Sequence, residues 1–109
     1  MTNLGAQLAE LSRWIDEANS HRNPEAQLWG RVAKVSEETG EAIAALVGAT
    51  GQNPRKGFTH TTVDVVKELL DVAVTALAAV EHLVNNDGSC VSLLESHVDG
   101  LMKRAGLAA

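Results

Sequence analysis

The chain has 109 residues, 45% hydrophobic and 3% aromatic, with a net charge of −5. That length suits a single domain, 1–109, whose core of Val, Leu, Ile and Ala is too small to cover every apolar surface it presents. The acidic balance argues against nucleic acid polymers and anionic membranes as partners, and the single cysteine, Cys90, excludes an internal disulfide and a zinc site built on several thiolates.

Turn residues divide the sequence into four helical segments, so the expected fold class is all-α. The first, about 4–19, carries Leu4, Leu8, Leu11 and Ile15 at steps of three and four and ends at NSHRNP. Its start, MTNLGAQLAELSRW, has no basic stretch followed by a long apolar one, and the longest apolar run, LLDVAVTALAAV, is short and carries Asp71, so the chain reads as soluble and cytoplasmic. Pro24 suits the first turn of a second helix that runs to about Val47, where Gly48 and the basic, glycine-rich loop GATGQNPRKG stop it.

Thr61 or Thr62 caps a third helix running to about Val84, with Asp64 in its first turn, where the helix dipole favours negative charge. Val66, Leu70, Ala73, Leu77, Val80 and Val84 form one apolar stripe along it, and Val65, Leu69, Val72, Ala76, Ala79 and Leu83 form a second. So wide an arc exceeds what one small neighbour covers, and a second copy of the chain is the expected remedy, giving a homodimer or homotetramer. After NNDGS, Ser89 or Ser92 starts a fourth helix through SLLESHVDGLMKRAG, with Lys103 and Arg104 near its C-terminus. Cys90 is expected as a buried or half-buried thiol.

The acids are the informative feature. At about 100° per residue, Glu37, Glu38 and Glu41 share one arc of the second helix with Lys34, opposite Leu28, Val32, Val35, Ile43 and Leu46. Glu68 and Asp71 share a face of the third, expected on the side away from the two apolar stripes. Counted from the connecting loop, an antiparallel hairpin sets Glu41 level with Glu68 and Glu38 level with Asp71. Either acidic pair alone reads as solvated surface. Two level pairs read as a site, because crowded carboxylates repel one another until a hard divalent cation bridges them, and oxygen ligands without His or Cys favour Mg²⁺, with Mn²⁺ as a substitute.

EETGE, residues 37–41, followed by ELLD, residues 68–71, resembles the EExxE and ExxD signature of the MazG-like all-α nucleoside triphosphate pyrophosphohydrolases, over roughly residues 4–104. The resemblance implies a four-helix unit completed by oligomerisation, and Mg²⁺-dependent hydrolysis of a nucleoside triphosphate to the monophosphate and pyrophosphate. Glu38, Glu41, Glu68 and Asp71 fall on the family's metal-ligand positions, Glu37 on an additional glutamate, and Glu37, Glu38 and Glu41 take the catalytic roles. A metal in such a site would neutralise the triphosphate and activate water for attack at the α-phosphorus.

The cations available to phosphates are Lys34, Arg55, Lys56, Lys67, Lys103 and Arg104. HVDGLMKRAG retains only Lys103 and Arg104 of the Lys, Asn and Arg series common near the family's fourth helix. Trp14 is the candidate for stacking on a base, whereas Trp29 is expected in the core. His21, His60, His82 and His97 follow no ligand spacing and read as surface or helix-end residues, and neither acidic helix offers the Glu-x-x-His pair of a di-iron bundle. Two other readings are phosphoribosyl-ATP pyrophosphohydrolase, within the same superfamily, and a non-catalytic helical module that senses nucleotides.

Overall fold

The computed structural model describes residues 3–107, and among them it is all-helical, with four helices and no strand. They are α1 (Leu4–Ala18), α2 (Pro24–Thr50), α3 (Thr62–Leu83) and α4 (Cys90–Arg104). No described helix is long and apolar enough to cross a membrane. The chain forms two compact units, one made of the residues up to His21 together with those from Leu77 onward, the other of Arg22–Ala76. Helix α3 contributes its N-terminal part to the second and its last turns to the first.

Each helix starts where side chains satisfy the amides that a first turn leaves free. Asn3 accepts from the Ala6 amide at 3.0 Å, and Asn23, followed by Pro24 in the first turn, accepts from Ala26 at 2.8 Å. Before α3, the Thr61 amide donates to Asp64 Oδ2 at 2.8 Å while Thr61 Oγ1 accepts from the Asp64 amide at 3.4 Å, a reciprocal capping box. The Thr61 amide, and the Thr61 hydroxyl donating to the same Oδ2 at 3.2 Å, hold the Asp64 carboxyl below its ordinary pKa. Ser89 precedes α4 without a side-chain cap bond.

In the first unit α1 packs against α4. Gly5, Leu8, Ala9 and Ser12 of α1, Ala78, Ala79 and Glu81 of α3, and Cys90 are its buried residues. Glu81 is fully buried: one of its oxygens accepts from the Gly88 amide and the other from Cys90, each at 2.8 Å. The cap missing from Ser89 is thus supplied from α3. Burial, and then the Glu81 contact, push the Cys90 thiol up to about 11, so it is an inert packing group. At the end of α3, Asn85 and Asn86 adopt left-handed backbone, and the Asn86 amide donates to Glu81 O at 2.7 Å.

In the second unit α2 extends three residues past the expected stop, to Thr50. Gly48 does not end the helix. It is buried there, and a Cβ at that position would overlap His60 Nδ1 and Thr59 Oγ1, while its carbonyl accepts from the Thr59 amide at 3.0 Å. The stop is Gly51, at φ 64°, with the Gln52 amide bonded back to Val47 O at 3.2 Å.

The packed side of α2 is not its large apolar side. Arg31, Ala42, Ala45 and Gly48 are buried, whereas Val32, Ile43, Leu46 and Trp29 are exposed. Trp29, at 67% exposure, is therefore no core residue. The arc shared by Glu38 and Glu41 is also the arc of the buried Ala42 and Ala45. On α3, Val63, Val66, Leu69 and Leu70 are exposed, and Glu68 is half-buried on the side of Val65 and Val72. The expectation that Glu68 points away from both apolar stripes is corrected by this: it borders the second of them.

Candidate metal centre

Three of the expected acids meet. One carboxylate oxygen from each of Glu38, Glu41 and Glu68 lies within 4.8 Å of the other two. Glu38 and Glu41 come from one face of α2, three residues apart, and Glu68 comes from the second turn of α3, which the Thr61–Asp64 capping box fixes in register. Oxygens that share one cation through bonds of roughly 2.0–2.6 Å stand no more than about 5 Å apart, so the spacing fits a single hard ion.

The electrostatics of the cluster are unfavourable as it stands. Glu38 is half-buried, and desolvation, followed by the Glu41 charge, raises its pKa above the ordinary 4.5. Asp71 adds to this rise, so its carboxylate lies within electrostatic reach of Glu38 although it is exposed and outside the group of three. Glu68 Oε2 is shielded from solvent and accepts no hydrogen bond among the described residues. A buried acceptor without a donor costs free energy, about 1–3 kcal/mol for a neutral group and more for a charged one. A cation is the partner that an all-oxygen donor set of this kind fits.

The remaining candidates are dispersed. Glu37 is exposed and accepts from Lys34 Nζ at 3.0 Å, and the same ammonium stands 3.7 Å from Glu38 Oε1. Lys34, expected among the phosphate donors, is thus engaged with the acids. Arg55 and Lys56 are exposed in the α2–α3 connection, on a turn closed by the Lys56 and Gly57 amides donating to Asn53 O at 3.2 and 2.8 Å. Lys67, next to Glu68 in sequence, is exposed. Trp14, 66% exposed, and Lys103 and Arg104 in the last turn of α4 belong to the first unit.

Several polar residues had no role in the sequence reading. Arg31, 8% exposed, lies two turns before Glu38 on the same side of α2. His82 Nδ1 is 2.7 Å from Asp16 Oδ1, and Asp16 Oδ2 accepts from Asn86 Nδ2 at 2.9 Å. The signal available for Arg31 was its phase with Glu38 and Glu41; for Asp16 and His82, 66 positions apart, the sequence offers none.

No protein-family model, no curated protein and no solved structure matches the chain.

Proposed function

We propose that the chain is a Mg²⁺-dependent nucleoside triphosphate pyrophosphohydrolase of the MazG-like kind, acting on a standard or modified ribo- or deoxyribonucleotide. The observation that carries this reading is the convergence of one oxygen each of Glu38, Glu41 and Glu68 within 4.8 Å, together with Glu68 Oε2, which is shielded from solvent and has no hydrogen-bond partner among the described residues. The order and spacing of EETGE and ELLD support it further.

Glu38, Glu41 and Glu68 would hold the metal, with Asp71 beside them. Bound there, the ion supplies charge neutralisation for the phosphates and a lowered pKa for water. The chain's own residues do the rest. Helices α2 and α3 hold the carboxylates at fixed height, and Arg55, Lys56 and Lys67 offer exposed donors to phosphate oxygens from the same unit. Glu37, which lies outside the group of three, would accept a proton from water rather than bind the ion.

The reading includes a homo-oligomer. Val32, Ile43, Leu46, Val63, Val66 and Leu70 are exposed on the second unit, and Ile43, Leu46 and Val47 line a groove with Thr50 and Gln52. Exposed aliphatic faces of this kind mark surfaces that another polypeptide covers, and a second copy of the chain is the partner always at hand.

The test is pyrophosphate release from a panel of nucleoside triphosphates with Mg²⁺, for the unaltered protein and for Glu68→Gln. Release that needs Mg²⁺ and disappears in the variant is expected. Equal release from both would remove Glu68, and the reading with it.

A further inference from the structure

We infer that Lys34 is the built-in counter-ion of the carboxylate cluster, and that a divalent cation displaces it from Glu38. The inference rests on the metal-site reading above and adds to it how that site is regulated.

Lys34 lies one helical turn before Glu38 and just under one turn before Glu37, on the arc of α2 that carries the cluster. Its Nζ donates to Glu37 at 3.0 Å and stands 3.7 Å from Glu38 Oε1. The two contacts differ in kind. Glu37 is outside the group of three and holds the ammonium by a direct hydrogen bond; Glu38 is inside it and is touched only at the outer limit of an ion pair. Lys34 is therefore anchored on Glu37 and leans on Glu38. It offsets part of the repulsion among Glu38, Glu41 and Glu68, but it leaves Glu68 Oε2 without a donor.

An ammonium and a divalent ion cannot both sit at the same Glu38 oxygens without repelling each other. The ion carries twice the charge and would also take a Glu68 oxygen, whereas Lys34 pairs with Glu37 and Glu38. Occupation of the site must then weaken the Lys34–Glu38 contact and leave the ammonium held by Glu37 alone, next to the ion. Lys34 is exposed and its contact with the half-buried Glu38 is at the limit of an ion pair, so this displacement has a small cost.

Two measurements test the displacement. In calorimetric titration with MnCl₂, Lys34→Gln should bind about two- to five-fold tighter than the unaltered protein, the span expected for losing one exposed competing charge, while Lys34→Arg should match the unaltered protein. In ¹H–¹³C spectra of the reductively ¹³C-methylated protein, with Lys34 assigned by its absence in Lys34→Arg, added MgCl₂ should move the Lys34 resonance toward those of the exposed Lys56 and Lys67. Equal or weaker Mn²⁺ binding by Lys34→Gln, or a Lys34 resonance that Mg²⁺ leaves in place, would overturn the displacement while the metal site stands. No Mn²⁺ binding by any of the three proteins would overturn both.

Discussion

Glu38 and Glu41, three residues apart on α2, bring carboxylate oxygens within 4.8 Å of each other and of Glu68. Partial burial and the neighbouring Glu41 charge together raise the Glu38 pKa above 4.5. A carboxyl with a raised folded-state pKa stabilises the fold when protonated, so its contribution is favourable at low pH and is lost as pH rises through the raised value. Without divalent ions, the melting temperature of the unaltered protein should therefore fall relative to that of Glu38→Gln as pH climbs from about 4.5 toward neutrality. Added Mg²⁺ should reverse the trend, because cation and proton compete for the same oxygens. A difference between the two proteins that does not vary with pH would show that the crowding has no energetic weight.

Glu81 gives a prediction in the other unit. Its two oxygens hold the Gly88 and Cys90 amides, and it is fully buried. Glu81→Ala leaves both donors without a partner, and chemical denaturation should report a loss of about 3 kcal/mol. Glu81→Gln, which keeps one acceptor, should lose less. Metal binding in the second unit should remain in any variant that still folds.

Two glycines of α2 should respond in opposite directions. Gly30 has open space where a Cβ would go, so Gly30→Ala should stabilise the protein by about 0.5–1 kcal/mol through helix propensity. Gly48 has His60 and Thr59 against it, and Gly48→Ala should destabilise by about 1–3 kcal/mol through overpacking. Thermal melts of the two variants beside the unaltered protein check both signs.

The capping box before α3 fixes the height of Glu68. Thr61→Ala removes the acceptor of the Asp64 amide and should cost about 1 kcal/mol, read as a lowered denaturation midpoint. It should also weaken Mn²⁺ binding, because the first turn of α3 frays next to Glu68; unchanged binding would mean that the helix holds its register without the cap.

The helices were legible because their signals are local. Pro24 in a first turn, and Thr61 as a cap with Asp64 after it, are signals that act within three residues, and the structure uses them as expected. The end of α2 was misjudged because a glycine signals either a stop or a close approach, and Gly48 is the second. The level placement of Glu41 and Glu68 followed from counting residues along two antiparallel helices. Asp71 stands a turn further along α3 with one methylene less reach than a glutamate, and residue counting alone does not resolve that difference. Burial was the least legible property. The apolar pattern points to Val32, Ile43 and Leu46 as the packed side of α2, yet it is Ala42, Ala45 and Gly48 that are buried, and at Gly48 the missing side chain is what lets Thr59 and His60 close in. Glu81 was invisible for a similar reason: its acceptors serve amides seven and nine residues away, through a turn that no periodicity describes.

The most direct measurement is the electron paramagnetic resonance signal of free Mn²⁺ titrated with the unaltered protein and with Glu68→Gln. The account predicts that the unaltered protein quenches the free-ion signal and that Glu68→Gln needs at least about ten-fold more protein to do so, the loss expected for removing one charged oxygen ligand. Identical titration curves, or a free-ion signal that the unaltered protein leaves untouched, would contradict it.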